Sequence, residues 1–251
     1  MRWVSRVGVC LLAVFALMSL ATASAAAEPP EFGRCVKQAG GKFKTGSCTT
    51  AAVAGEEKFE WLPGVVKSKF TIDSPTVVIF ETVKTSRVTC TGEKGTGEYT
   101  GPKSVGNVVM TFTGCECCKL KCNTKGAKAG ELEFNPLEGE PGIIKKGETA
   151  AKSKAGLELF APGGGNWAEF SCSTIFVTIK GAAIVGLPAN AMRLSYPIKF
   201  TCGNGVQKPE RFEGGPQAAL EFNSGSGFER GCMKVTLNLA NEEKVELSTV
   251  N

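Results

Sequence analysis

The stretch Met233-Lys234-Val235-Thr236-Leu237-Asn238-Leu239 places an apolar side chain at every second position. Successive side chains of a β-strand point to opposite faces, so this period of two predicts a strand with one buried face. An amphipathic helix would instead repeat its apolar residues every three to four positions. After the N-terminal region, no such helical stripe persists over three turns. The segment therefore indicates a β protein.

The same pattern recurs along the chain, in β-branched and aromatic runs separated by glycine-rich turn sequences. The predicted strands cover 67–72, 76–83, 107–113, 174–179, 192–201 and 218–222. The predicted turns cover 92–97, 163–166 and 223–227. Short strands at such spacing are typical of a β-sandwich or a barrel. We therefore expect an all-β protein, an antiparallel sandwich or partly open barrel stapled by disulfides, with little helix in the mature chain.

The N-terminus predicts export. Residues 1–27 combine a basic start, an apolar run and small residues before the cleavage point, as a secretory signal peptide does. Residues 28–34 are predicted to be a flexible lead-in, and 35–251 a single β domain. The mature protein is then expected to be secreted, or held at the cell envelope.

A short internal repeat suggests that the β domain could be divided further. Leu-Glu-Phe-Asn occurs at 132–135 and again at 220–223. The domain could then consist of two related lobes with a break near 136–155. Chance is the alternative, because alternating apolar residues are what any half-buried strand contains.

Composition excludes several kinds of function. The sequence has no histidine and a single aspartate, Asp73. Histidine-based catalytic triads, imidazole metal sites and Asp-rich calcium loops are therefore excluded. No nucleophile elbow or nucleotide-binding motif occurs either, which favours a non-catalytic protein.

Charge and hydropathy argue against two classes of partner. Without residues 1–27, 27 basic and 24 acidic residues leave a net charge of +3, with Lys and Glu interleaved. Nucleic-acid binding needs a basic stripe, so we expect no nucleic-acid partner. No second apolar segment of spanning length follows the signal peptide, so no membrane span is expected after cleavage.

Cysteine usage predicts a disulfide framework. Cys10 leaves with the signal peptide, and an even number remains, as is usual in exported disulfide-bonded proteins. The ten candidates for disulfide bonds are Cys35, Cys48, Cys90, Cys172, Cys115, Cys117, Cys118, Cys122, Cys202 and Cys232. Proximity and context suggest three pairs: Cys35 with Cys48, which enclose a short loop, Cys90 with Cys172, which both end apolar runs, and Cys202 with Cys232, the last two. Sequence alone does not fix the pairing.

The cluster 115–122 holds four of these cysteines in eight residues. Disulfides are the favoured interpretation, because thiols are oxidised outside the cytosol. A thiolate metal site or a redox site is the alternative, although no second Cys-x-x-Cys pair completes a zinc ribbon. Cys117 and Cys118 are adjacent, and a bond between neighbours would be strained, so different partners are expected for each.

Carboxylate chemistry is the remaining enzymatic alternative. An extracellular hydrolase could use paired glutamates, and Glu60 beside Trp61 and Glu169 near Trp167 are the best candidates. The two tryptophans are also the candidate ligand-contact aromatics, since an indole face can stack on a sugar. The competing interpretation is that both tryptophans belong to the core.

Several short segments recur together, including Phe59-Glu60-Trp61, Val88-Thr89-Cys90, 111–115 and Phe170-Ser171-Cys172. In these the chain resembles an uncharacterised family of secreted proteins from soil actinobacteria of the Solirubrobacter kind. The resemblance implies a bacterial exported protein with a cysteine frame, and it carries no assigned activity.

The sequence therefore favours a non-catalytic binding module or one associated with the cell surface. Its partner would be a surface polymer or a protein, and no cofactor or metal is expected. Two alternatives stay open: the carboxylate hydrolase, and a metal-binding or redox protein built on the cysteine cluster.

Overall fold

The computed structural model describes residues 30–64 and 67–250. The predicted signal peptide, 1–27, lies outside the described residues. The described strands, in chain order, are β1 (Glu31–Lys37), β2 (Phe59–Pro63), β3 (Lys69–Ser74), β4 (Val78–Thr82), β5 (Arg87–Cys90), β6 (Gly92–Gly101), β7 (Ser104–Thr113), β8 (Glu116–Cys117), β9 (Leu120–Thr124), β10 (Leu132–Glu133), β11 (Leu137–Lys145), β12 (Lys154–Phe160), β13 (Asn166–Cys172), β14 (Ile175–Leu187), β15 (Arg193–Gly203), β16 (Val206–Lys208), β17 (Leu220–Asn223) and β18 (Phe228–Ser248). Two short 3₁₀ helices, Ala150–Lys152 and Pro162–Gly164, are the helical elements of this part of the chain. The predicted all-β class with little helix is confirmed.

Eight strands close a ring by antiparallel pairing. Around this first ring each strand pairs with the next in the order β3, β6, β7, β11, β12, β14, β15, β18 and back to β3. Because apolar and polar residues alternate along these strands, one face of each points into the ring. The inward residues form the greater part of the apolar core.

A second ring closes in the same way. Its order is β4, β5, β8, β9, β13, β14, β17, β18 and back to β4. Strands β14 and β18 belong to both rings, so the rings are stacked end to end along them. The core is continuous from one ring to the other. Of the two expected architectures, the closed rings correspond to the barrel rather than to an open sandwich.

Gly181 marks the junction on β14. Residues before it pair with β13 and residues after it with β12. Its φ is +94°, and a Cβ there would lie 2.0 Å from the carbonyl oxygen of Ala219. Only glycine avoids both the left-handed strain and this clash. The Nε1–H of Trp167 donates a hydrogen bond of 2.8 Å to the Gly181 oxygen, which fixes the junction.

The glycine-rich segment 92–97, which the sequence suggested as a turn, lies in strand β6. The physical reason is crowding in the ring. A Cβ on Gly95 would lie 2.5 Å from the Val109 oxygen, and one on Gly97 would lie 2.3 Å from the Phe70 ring. These glycines therefore let neighbouring strands and a core aromatic approach the backbone.

The hairpin β1–β2 closes the outer end of the first ring. Strand β1 pairs with β2 and with the end of β18. Phe32 inserts against Tyr99, with ring centroids 4.9 Å apart. The expected flexible lead-in, 28–34, therefore differs from the structure over residues 31–34, which are paired in β1.

The rings do not divide at 136–155, because each draws strands from both sides of that segment. The two Leu-Glu-Phe-Asn segments lie at different places in the fold. The first, 132–135, pairs with β7 through its first two residues, and the second, 220–223, lies between β14 and β18. Both bury their Leu and Phe side chains. A common origin of two lobes stays a prediction.

Candidate functional site

The two candidate ligand-contact tryptophans are buried. Trp167 is 0% exposed and packs on Phe134, so no ligand reaches it from solvent. Trp61 is 9% exposed, and its Nε1–H donates to Glu31 Oε1 at 2.7 Å. It packs with the disulfide of Cys35 and Cys48 in a small apolar cluster of the β1–β2 hairpin. Both are core aromatics, contrary to the ligand-contact hypothesis.

The candidate hydrolase carboxylates do not form a pair. Glu60 lies on β2 and accepts a hydrogen bond of 2.9 Å from the Lys42 N–H. Glu169 lies on β13 in the second ring and accepts one of 2.7 Å from Asn166 Nδ2. The two glutamates are on separate parts of the fold, so the structure does not bring them into one cleft with a tryptophan.

Four disulfides form among the described cysteines. They join Cys35 to Cys48, Cys90 to Cys115, Cys122 to Cys172 and Cys202 to Cys232. The suggested pairs Cys35 with Cys48 and Cys202 with Cys232 are found, whereas the suggested pair Cys90 with Cys172 is wrong, because each of these is bonded to a cysteine of the cluster 115–122. Two of the four clustered cysteines are thus consumed in bonds to β5 and β13, which removes the four-thiolate metal site.

Cys117 and Cys118 are free thiols, which differs from the expectation of ten paired cysteines. They lie at the tip of the β8–β9 hairpin, with 3.7 Å between the two Sγ atoms. Burial, followed by the neighbouring Cys118, raises the pKa of the Cys117 thiol. No sequence pattern distinguished these two from the other eight.

The two ends of the stacked rings differ. The first ring is closed by Phe32, and the apolar cavity inside it measures only 30 Å³. The second ring is open at its outer end, where the turns of four hairpins meet: β4–β5, β8–β9, β13–β14 and β17–β18. A larger apolar cavity lies between these turns.

This cavity, which we call the mouth, measures 100 Å³. Its residues are Phe80, Thr82, Ser86, Arg87, Val88, Cys117, Cys172, Ile175, Val177, Phe222 and Ser224. Phe80, Val88, Val177 and Phe222 are buried and form its apolar lining. Ser86, Ser224 and Arg87, the first residue of β5, are exposed and form a polar rim at the entrance.

Exposed apolar side chains surround the mouth. Phe176, the neighbour of the lining residue Ile175 at the β13–β14 turn, is 56% exposed. The exposed apolar residues on or beside the four turns are Val83, Leu120, Ile175, Phe176 and Phe228. Single exposed apolar residues are ordinary, but several grouped around a cavity are typical of a binding surface.

The other cavities and side-chain clusters are weaker candidates for a binding site than the mouth. A groove of 450 Å³ runs along the outside of the first ring between Thr71, Lys94 and Val109, and it is an open depression on one sheet face. Among the described residues, one set of three metal-ligating groups comes together: Glu81, Cys202 and Cys232. Since its two cysteines are bonded to each other, it offers no thiolate to a metal.

Two buried carboxyl groups lie away from the mouth. Glu93 is 2% exposed on the inward face of β6. Glu246 is 1% exposed on β18, where it pairs with Gly33 of β1. None of their carboxyl oxygens has a hydrogen-bond partner. Burial, and then the charge of Asp73, raises the pKa of Glu93 to about 8. Burial raises the pKa of Glu246 to about 7.

The fold and the mouth define a disulfide-bonded antiparallel β protein with an apolar cavity between the hairpin turns at one end. Comparisons with protein-family models, with curated proteins and with solved structures found no match for this chain. Within the described residues, no helix has the length and apolar character needed to cross a membrane.

Proposed function

We propose that this protein is an exported, non-catalytic binding module whose ligand enters the mouth of the second ring. The single observation that carries the proposal is the apolar 100 Å³ cavity between four hairpin turns. Ligand sites are typically concave and apolar, with a few polar groups that orient the ligand. The four disulfides support export, because such bonds persist in oxidising compartments.

The lining suggests what kind of ligand fits. Apolar cavities of about 150 Å³ bind benzene, so the smaller mouth suits a short or branched alkyl group. Arg87 forms no ion pair among the described residues, and Ser86 and Ser224 line the same entrance of the mouth. A guanidinium with adjacent hydroxyls favours a carboxylate. The proposed ligand is therefore a small carboxylate with a short alkyl chain.

Calorimetric titration with straight-chain carboxylates of increasing length tests the proposal. The expected affinity increases by about 0.8 kcal/mol for each buried methylene until the mouth is full, and then levels off. Ile175→Glu, a change at a half-exposed rim position, should abolish binding while the near-UV circular dichroism of the core stays unchanged.

Arg87→Gln tests the polar end of the ligand. It should remove the preference for a carboxylate over the alcohol of equal length and leave the chain-length dependence intact. Arg211→Gln, an exposed change away from the mouth, is the matched control. Absence of binding across the whole series, or binding that Ile175→Glu leaves unchanged, would overturn the proposal.

A further inference from the structure

The free thiols at the tip of the β8–β9 hairpin form a compact pair of sulfur donors. Cys117 Sγ and Cys118 Sγ lie 3.7 Å apart, Cys118 is exposed, and Cys117 faces the mouth. The other eight described cysteines are held in disulfides, so these two are the thiols that this part of the chain offers.

The backbone of this hairpin is unusual for its sequence. Cys118 has a φ of +54° and Lys119 a φ of +69°, the two positive values of a tight two-residue turn. Asn and Gly are the ordinary residues at such positions, because other side chains are strained there. The turn therefore holds the Cys118 side chain beside that of Cys117 in spite of the local preference against it.

Cys117 and Cys118 are both free although their sulfur atoms are close together. A disulfide between adjacent residues would be strained, which disfavours a bond between these two. The pair is therefore available to a metal ion that displaces the two thiol protons.

The donor set selects the metal. No third Cys, Asp or Glu atom completes a cluster with the two sulfurs among the described residues. Structural zinc takes four ligands, whereas thiolates favour soft ions such as copper(I). Two thiolates and one copper(I) ion leave a charge of −1, and the exposed side chain of Lys119 lies next in the chain to balance it.

We propose that Cys117 and Cys118 form a two-thiolate site for a soft monovalent metal ion of the copper(I) class. Binding joins the ion to both Sγ atoms and releases both thiol protons, with no change of oxidation state. The apolar lining of the mouth shields the Cys117 side of the site from water, which strengthens metal–thiolate bonding. Cys117 also lines the mouth, so the metal site adjoins the carboxylate site proposed above, but copper binding does not require that ligand.

Anaerobic titration of the purified, non-reduced protein with copper(I), in competition with a chromogenic chelator, tests the site. The expected stoichiometry is one ion per chain, with release of two protons, and zinc should not compete. Cys117→Ser and Cys118→Ser should each reduce the stoichiometry to zero. Leu120→Ala, on the same hairpin, should leave it at one.

Thiol counting on the wild-type protein keeps the test conclusive if a variant misfolds. Denatured without reductant, the chain should show two reactive thiols, and mass spectrometry should place the label on Cys117 and Cys118. Prior alkylation of these two should abolish copper binding. No reactive thiol, copper bound after alkylation, or equal affinity for zinc would each overturn the proposal.

Discussion

Replacing Glu93 with glutamine should change how the stability of this protein depends on pH. The carboxyl group of Glu93 is buried inside the first ring without a hydrogen-bond partner, and its pKa is raised to about 8 from an ordinary value of 4.5. Between these two values the folded state keeps the proton and the unfolded state has lost it. The unfolded state binds fewer protons, so the free energy of unfolding decreases as pH rises.

The size of the effect follows from the width of this window. Each pH unit inside it lowers the free energy of unfolding by about 1.4 kcal/mol, and the full window amounts to on the order of 5 kcal/mol. Glutamine has nearly the same shape and does not ionise. We therefore expect Glu93→Gln to lie within about 1 kcal/mol of the wild type at pH 5 and to be several kcal/mol more stable at pH 8.5.

Urea unfolding at half-unit steps from pH 5 to 8.5, followed by the fluorescence of buried Trp61 and Trp167, measures this difference. The absence of histidine removes the side chain that usually titrates in this range. Glu246, with a pKa of about 7, contributes equally to both proteins, so the difference isolates Glu93. The exposed Glu138→Gln is the control. A stability difference between wild type and Glu93→Gln that stays constant with pH would refute the reasoning.

Two further changes test the frame of the rings. The double change Cys202→Ala with Cys232→Ala opens a loop with a sequence separation of 30. In guanidinium titrations it should lower the free energy of unfolding by about 3 to 4 kcal/mol. A loss below about 1 kcal/mol would contradict this. Gly181→Ala should cost more than about 2 kcal/mol, because its Cβ meets the Ala219 oxygen. Gly186→Ala has an ordinary φ, and its Cβ meets only the Ile144 side chain, at 3.9 Å, so calorimetric melting should shift far less for it. Equal shifts would show that the junction is not strained.

Local alternation predicted much of the strand content. The segment 233–239 lies inside β18, and 107–113 lies inside β7. The closure into two rings was not predictable, because it depends on pairings between distant segments such as β3 with β18. Strand β6 was missed because its glycines serve close packing rather than a turn.

The site was less predictable than the fold. Tryptophans suggested ligand contact from their chemistry alone, but Trp61 and Trp167 are buried. The mouth is formed by turns from four hairpins that are far apart in sequence, and no local pattern brings them together. The free state of Cys117 and Cys118 depends on which partners the other cysteines reach in three dimensions.

Strand β18 also sets the order in which this chain can fold. It supplies one wall of each ring, and it follows the other seventeen described strands in the sequence. Until it emerges, β3, β4, β15 and β17 all present unpaired edges, which are sites of aggregation. Neither ring can close before β18 is available, and until then these edges can pair with other copies of the chain.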